Sequence, residues 1–414
     1  MIHLHSLPLV FALAGLALYT VLGGADFGAG FWQLVAGRGE HGRQIRDHAH
    51  HAMAPVWEAN HVWLVFVLTV VWTGYPAAFG SIASTLSSPL FVAGLGIVLR
   101  GGAYALRAGT ATAREERRID TVFALSSVLT PFALGTAAGG VAAGRVGVGN
   151  PGGSLVSSWL NPLSITIGVL AVASAAYMAA VFLSGDAVRD GRAALAEQFR
   201  RRALGAGIAA GAIAAAGVVV LRIDAHRLFT RLTQGPGLPA LALSVLAGGA
   251  TLALVASRRY EPARYTAAIA VGSTIAGWAL AQQPVLLRSL TVGQAAAGRE
   301  TELAVTIAVI AGAVILFPSL ALLFRLTLAG RLADAPPTAA HPPDARELAG
   351  SRPSARPAVA ALIAGIGFLT IAGTNWAHAI GAASLLAFAV LGYRPLLESF
   401  LGPEGEEAPD RRSG

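Results

Sequence analysis

Two acidic residues in apolar stretches are the residues on which chemistry is expected to depend. Asp26 lies in LGGADFGAGF, and Glu58 lies in HAHHAMAPVWEANHVW, just ahead of a second apolar run. Placing a carboxylate inside a membrane helix costs about 2.5 kcal/mol or more. We therefore favour a functional role for both acids. The alternative is that each carboxylate only hydrogen-bonds a neighbouring helix or pairs with an arginine.

The residues around Glu58 form two flanks of one predicted helix. Trp57, Asn60 and Trp63 recur at intervals of three, which places them along one flank, and Glu58 and His61 lie on the adjoining flank. A tryptophan at a membrane boundary is usually an interfacial anchor. That interpretation fits Trp57 well and Trp63 less well.

A histidine cluster precedes this helix. His48, His50 and His51 are residue types that bind metals, but they fall in a predicted wet, basic loop. The chain has no cysteine, which excludes a disulfide or a thiolate ligand. The predicted third, fourth and fifth helices contain no histidine. We expect neither a metal site here nor a haem bound by this chain alone.

Composition identifies the class of protein. Of the 414 residues, 55% are hydrophobic and 13% are charged, against about a quarter charged in soluble domains. The mean hydropathy is +0.62. The sequence therefore predicts an all-α, polytopic membrane protein. Its formal charge of +8 comes from arginines in short loops, a pattern that reflects membrane orientation and not nucleic-acid binding.

The apolar runs predict nine transmembrane helices. They are expected near 7–35, 53–75, 77–99, 120–143, 160–184, 203–221, 238–256, 264–283 and 303–325. With the N-terminus outside, the inner loops hold 16 arginines and the outer loops 6. Because arginine concentrates in cytoplasmic loops, the sequence predicts that orientation. Tyr75-Pro76 is predicted to form a tight turn, and Asn161-Pro162 to open the fifth helix.

The last part of the chain departs from this pattern. We expect a membrane domain over 1–328, a cytoplasmic linker rich in Pro, Ala and Arg over 329–357, a further hydrophobic segment over 358–393 and a polar tail over 394–414. The hydrophobic segment is either one helix or two short ones around Thr374-Asn375. A single crossing is favoured.

The predicted depth of the acids suggests what they do. Asp26 lies about nine residues, or about 14 Å, from the cytoplasmic end of the first helix, and Glu58 lies about 8 Å into the second. Both acids are then in the cytoplasmic half, where they could take up cytoplasmic protons and relay them inward. Gly24 and Gly28 bracket Asp26 and would let another helix approach closely.

Three motifs resemble a known family. GADFGAG at 24–30 is similar to a G-x-D-x-G-x-G pattern, PVWEANHVWL at 55–64 to W-D-G-N-x-V-W, and WLNPLS at 159–164 to an L-N-P segment. These patterns belong to subunit II of the cytochrome bd-type quinol oxidases. The resemblance extends from residue 1 to about residue 330, and it includes the order and number of helices.

The resemblance implies a fold and a function. It implies two four-helix bundles plus a peripheral helix, paired with a subunit I that holds two b-type haems and one d-type haem. This chain would bind no haem, while the complex oxidises quinol and reduces O2 to water with cytoplasmic protons. Glu58 and Asp26 would belong to the proton pathway, and Trp63, with Trp57 and Asn60 beside it, to an oxygen route or the subunit interface. A small single-helix subunit and membrane lipid are further candidate partners, and the bacterial cytoplasmic membrane is the expected location.

Departures from the family pattern leave alternatives open. Glu58 and Ala59 stand where the family usually has Asp and Gly, and the chain continues beyond the usual family end. These differences indicate a divergent branch of the family, such as the cyanide-insensitive type. A proton-coupled transporter using Asp26 and Glu58 is the main alternative function, and a non-catalytic assembly factor is another.

Overall fold

The computed structural model describes residues 4–37, 39–107, 112–149, 154 and 156–328, with isolated positions between 357 and 390. Side chains are described in these ranges except at 41, 50–59, 113, 320–321 and 323–328. The chain divides into two compact units, Met1–Ser319 and Leu320–Gly414. The predicted linker at 329–357, segment at 358–393 and tail at 394–414 lie outside the described residues, apart from those isolated positions.

The described part is almost entirely helical, as predicted. After a 3₁₀ turn at Leu4–Ser6, the helices are α1 (Leu7–Leu34), α2 (Glu40–Gly74), α3 (Pro76–Thr85), α4 (Ser87–Arg107), α5 (Ala113–Ala142), α6 (Pro162–Arg189), α7 (Ala193–Asp224), α8 (His226–Thr233), α9 (Leu238–Ala256), α10 (Tyr260–Gln282), α11 (Val292–Ala295) and α12 (Arg299–Leu328). A two-stranded antiparallel hairpin, β1 (Val285–Leu287) and β2 (Leu290–Thr291), separates α10 from α11.

Seven of the described helices are long and apolar enough to cross a membrane: α1, α4, α5, α6, α7, α9 and α12. An eighth span is possible if the end of α2 and α3 are taken together, although they meet at 119°. The chain is therefore a multi-pass membrane protein. Nine predicted spans exceed the number that length and composition support in the described residues.

Several predicted boundaries were wrong for identifiable reasons. The predicted loop after the first helix is largely helical, because α2 begins at Glu40. The predicted third helix is two helices, α3 and α4, with Leu86 between them. The predicted loop at 222–237 contains the short amphipathic helix α8. In the first and third cases charged residues were taken to mark a loop, whereas helical backbone forms there. The break at Leu86 involves no charged residue, and the apolar pattern on both sides of it gave no sign of an interruption.

Two predicted features of the chain were confirmed. Tyr75-Pro76 is the point of the 119° bend, where proline begins α3. Asn161 caps α6 by accepting a hydrogen bond from the Ser164 amide at 3.0 Å, with Pro162 as the first helical residue. The cap satisfies an amide that has no partner inside the helix, which explains why α6 begins here.

Helix α1 lies at the centre of the first unit and packs against α2, α5, α6 and α10. Every residue from 23 to 30 of α1 is buried, as is every residue from 175 to 181 of α6. Gly28 makes this contact possible, because a Cβ there would overlap the backbone carbonyl of Ala175. The close approach predicted from Gly24 and Gly28 is thus confirmed, with α6 as the partner helix.

Candidate functional site

The acid in the first motif lies at the centre of a buried polar cluster. Asp26 is 1% exposed and interacts with groups from α2 and α4. Its Oδ2 accepts a hydrogen bond from Asn60 Nδ2 at 3.0 Å. Its Oδ1 forms an ion pair with the guanidinium of Arg100. The second motif therefore meets the first through Asn60, and α4 contributes the cation.

Arg100 is held by polar and aromatic groups from α1 and α5. It is 1% exposed, and its Nη2 also donates to the main-chain carbonyl of Asp26 at 3.1 Å. Its Nη1 donates to Ser127 Oγ on α5. The guanidinium lies over the rings of Phe27, at 4.9 Å, and Phe123, at 4.2 Å. The Asp26 carboxylate neutralises the cation. The other contacts fix its position, since an aromatic face also attracts a guanidinium.

Sequence reasoning missed Arg100 and Ser127. The predicted third helix ended at residue 99, which left Arg100 in the loop before the fourth helix, but the structure places it inside α4, seven residues before the helix ends at Arg107. The signal was present in the sequence, since apolar and small residues continue on both sides of it in GIVLRGGAYAL. An isolated arginine within such a run is costly to bury without an acidic partner. The excess of arginine in the predicted inner loops remains after Arg100 is removed from the count.

The glycine motif makes room for this cluster. A Cβ at Gly30 would overlap the Ser127 side chain and lie 3.3 Å from Arg100 Nη1. On the opposite side of α1, Gly28 allows α6 to approach. The small residues around Asp26 therefore serve two purposes, one in helix packing and one in admitting Arg100 and Ser127.

Other polar groups lie near the Asp26 carboxylate. His61, half-buried, and Tyr19, buried, are both within electrostatic range of it. Two buried atoms of the cluster, Asn60 Oδ1 and Arg100 Nε, have no hydrogen-bond partner among the described residues. A buried polar atom is normally hydrogen-bonded. Together with Asp26, His61 and Tyr19, these two atoms form a polar region within an otherwise apolar bundle.

The remaining predicted residues are placed as follows. Trp63 is half-buried, packs beside Tyr19 and Phe27, and meets the Phe66 ring edge to face at 5.9 Å. Glu58 and Trp57 lie in α2, but their side chains are outside the described residues, as are those of His50 and His51. The predictions for these four residues therefore stay predictions.

His48 is buried in a polar contact at the other end of the bundle. Its Nε2 lies 3.1 Å from the Leu183 carbonyl, and its Nδ1 lies 3.5 Å from an Asp190 carboxylate oxygen. The predicted loop position was wrong, because His48 is inside α2. Among the side chains that the structure describes, no group of three histidine, aspartate or glutamate residues could hold a metal ion.

Comparisons with known proteins agree with one another. A family model described as cytochrome bd terminal oxidase subunit II matches residues 4–327. A solved structure of the bd oxidase from Geobacillus thermodenitrificans has a chain with a TM-score of 0.61 and 25% identity, covering 79% of this chain and 99% of that one.

Two curated proteins of Bacillus subtilis strain 168 also match. One is cytochrome bd ubiquinol oxidase subunit 2, which is 26% identical over 135 residues, or 33% of this chain and 39% of that protein. The other, whose name assigns it to a cytochrome bd menaquinol oxidase, is 26% identical over 117 residues, or 28% of this chain and 33% of that protein. The chain thus matches between a third and two fifths of each curated relative.

Proposed function

The chain belongs to the cytochrome bd terminal oxidase subunit II family, and from this membership we propose that it is the haem-free subunit of a bd-type quinol oxidase. Its partner would be a haem-bearing subunit I, which oxidises quinol and reduces O2 to water. The two b-type haems and the d-type haem of that partner supply the redox chemistry. A small single-helix subunit and membrane lipid complete the proposed assembly.

This chain's own contribution would be a route for protons from the cytoplasm. The observation that carries the proposal is the buried cluster of Asp26, Asn60 and Arg100, which joins the two acid-bearing motifs inside the membrane. Glu58 lies two residues before Asn60 on α2. The cluster therefore holds the helical turn that carries Glu58 at a defined position in the bundle.

The two acids would have different tasks. Asp26 is paired with a buried arginine, and protonating it would leave the Arg100 cation without its counter-ion. Because unpairing a buried charge is costly, this carboxylate would stay ionised and paired. It would then hold α1, α2 and α4 in register and set the local electric field. Glu58 is then the better candidate for carrying protons along the pathway to which both acids belong.

Two tryptophans are proposed to take part in oxygen entry or in the subunit interface. Trp63, on α2, packs against Tyr19 and Phe27 of α1, close to the Asp26 cluster. An apolar aromatic lining of this kind suits passage of O2, which has no charge or hydrogen-bond donor. Trp57 and Asn60 lie on the same flank of α2 by their spacing.

We place this subunit in the bacterial cytoplasmic membrane with its N-terminus outside. The arginine distribution supports this orientation, since arginine concentrates on the cytoplasmic side. Nine crossings, arranged as two four-helix bundles plus a peripheral helix, are part of the same proposal. The family match over 4–327 supports it, whereas length and composition alone identify seven or eight spans among the described residues.

The experiment is purification through a tag on this chain, followed by a reduced absorption spectrum and an assay of quinol-driven O2 uptake. We expect haem d in the eluate, and uptake at least tenfold lower for Glu58→Gln, because general acid–base groups contribute about 100-fold or more. Glu58→Asp keeps a carboxylate and is the matched control, expected to retain most of the activity.

Each contrary result has a distinct meaning. If haem d is present and Glu58→Gln does not change O2 uptake, the oxidase complex is supported and the proposed role of Glu58 in proton transfer is rejected. An eluate without haem would reject the oxidase assignment and favour a proton-coupled transporter.

A further inference from the structure

Helix α8 is a short amphipathic helix between two long apolar ones. Its sequence HRLFTRLT places Leu228, Phe229 and Leu232 on one side and Arg227 and Arg231 on the other. The apolar side packs inward, where Leu228 is buried and Phe229 and Leu232 join the same apolar cluster. On the charged side, Arg227 is exposed and Arg231 is half-buried.

The exposed face of α7 fixes the level of α8 relative to a membrane. One exposed stripe runs along α7 from Arg201 to Arg222, and the exposed residues between them are all Gly, Ala, Ile or Val: Gly205, Ile208, Ala209, Gly211, Ala212, Ala215, Ala216 and Val219. Twenty-one helical rises span about 32 Å, close to the thickness of about 30 Å of the hydrocarbon core. The two arginines then lie at the two boundaries, and α8, which follows directly, lies at one of them.

Among the described residues, no carboxylate forms an ion pair with the cations at this boundary. In segment 222–237 the only acid is Asp224, and its Oδ2 accepts a hydrogen bond from the Leu163 amide at 3.2 Å. Arg222 and Arg227 are exposed, and no carboxylate among the described residues lies within 4.0 Å of either. Arg231 is half-buried and donates from Nε to the Ala281 carbonyl at 2.9 Å, which gives it a structural role.

An aromatic ring organises part of this charged surface. The Arg222 guanidinium lies 6.0 Å from the centre of the Phe229 ring, and the His226 ring stacks on the same phenylalanine at 6.1 Å. Ile223, 78% exposed, adjoins Arg222 and continues the apolar stripe of α7 through Val219. Cations and an apolar stripe thus meet at the membrane boundary.

We propose that Arg222, His226 and Arg227 bind the phosphodiester headgroup of an anionic phospholipid, whose acyl chain lies along Val219 and Ile223. An interfacial helix with a basic polar face is suited to this task. The position of segment 222–237 also supports the lipid site. On the orientation proposed above, this one segment holds three of the six arginines of the outer loops, on the side where arginine is otherwise scarce. The site is distinct from the Asp26 cluster and does not depend on the oxidase assignment.

The test is native mass spectrometry of the full-length protein in detergent, titrated with dioleoyl phosphatidylglycerol or with dioleoyl phosphatidylcholine. We expect the first phosphatidylglycerol to bind more tightly than phosphatidylcholine. Its Kd should rise about fivefold for each arginine removed, since one basic residue near an anionic lipid surface contributes about 1 kcal/mol. Arg222→Gln/Arg227→Gln should therefore weaken binding on the order of 20-fold.

The matched control is Arg145→Gln. Arg145 is exposed in the loop before α6, on the same side of the membrane, and its removal should leave the Kd unchanged. Arg227→Gln alone serves if the double variant folds poorly, because Arg227 is exposed and forms no ion pair with a described carboxylate. Equal affinity for both lipids, an equal shift in the Arg145 control, or displacement of the lipid by millimolar inorganic phosphate would each overturn the proposal. The last result would indicate a simple anion site.

Discussion

Removing one member of the Asp26–Arg100 pair should destabilise the protein far more than removing a surface ion pair. Both side chains are 1% exposed, so either charge left alone would be buried without a counter-ion. Arg100→Leu leaves an ionised Asp26 with Asn60 as its side-chain donor, and Asp26→Asn leaves the guanidinium without its carboxylate. Breaking a buried pair from one side costs about 3–5 kcal/mol, and we expect each single variant to lose that much.

The double variant separates the ion pair from simple loss of packing. Asp26→Asn/Arg100→Leu removes both charges, so the penalty for an isolated buried charge disappears and only packing and hydrogen-bond losses remain. The free energy of unfolding should therefore fall by less than the sum of the two single losses. We expect a coupling energy of at least about 2 kcal/mol.

The assay is reversible unfolding in mixed micelles of detergent and SDS, followed by tryptophan fluorescence. The exposed pair of Glu40 and Arg43 is the matched control, with 70% and 65% of the side chains accessible and an N–O distance of 2.8 Å. Its coupling energy should be about 0–1 kcal/mol. If the Asp26 and Arg100 losses add to within about 0.5 kcal/mol, the ion pair does not stabilise the bundle and the reasoning fails.

Two further substitutions test the contacts that build the cluster. Gly28→Ala should lower the free energy of unfolding by about 1–3 kcal/mol, because its Cβ would overlap the Ala175 backbone; Gly94→Ala, in open space on α4, should be neutral or stabilising in the same assay. Asn60→Leu removes the donor to a buried carboxylate and should cost about 1.5–3 kcal/mol. An effect of Gly94→Ala as large as that of Gly28→Ala, or an Asn60→Leu protein as stable as the wild type, would contradict these contacts.

The class of fold, and the residues that mark the family, could be predicted from the sequence. Long apolar runs predicted helices because a backbone in lipid must satisfy its own hydrogen bonds. Asp26 and Asn60 were singled out from residue type and spacing, and the structure brings them together. The contact between them crosses from α1 to α2, and one sequence contains no direct record of which helices are neighbours.

Arg100 shows where reasoning from the sequence failed and why. A basic residue at the end of an apolar run predicts a loop, and Arg107, Arg114, Arg117 and Arg118 nearby strengthened that interpretation. Among the described residues, the cost of burying Arg100 is offset by Asp26, Ser127 and two aromatic rings, all from other helices. A partner 74 positions away in the chain could not be inferred from local pattern.

The pairing of Asp26 also changes what the two acids are expected to do. From sequence, Asp26 and Glu58 were equivalent members of one proton relay. In the structure, the Asp26 carboxylate is held by Arg100 and Asn60, so each protonation would disrupt an ion pair and a hydrogen bond. A residue that must gain and lose protons repeatedly works best without such a cost. Asp26→Asn should therefore reduce stability and O2 uptake together, whereas Glu58→Gln should reduce uptake and leave the unfolding free energy nearly unchanged. If Glu58→Gln were instead the more destabilising variant, the division of tasks would have to be reversed.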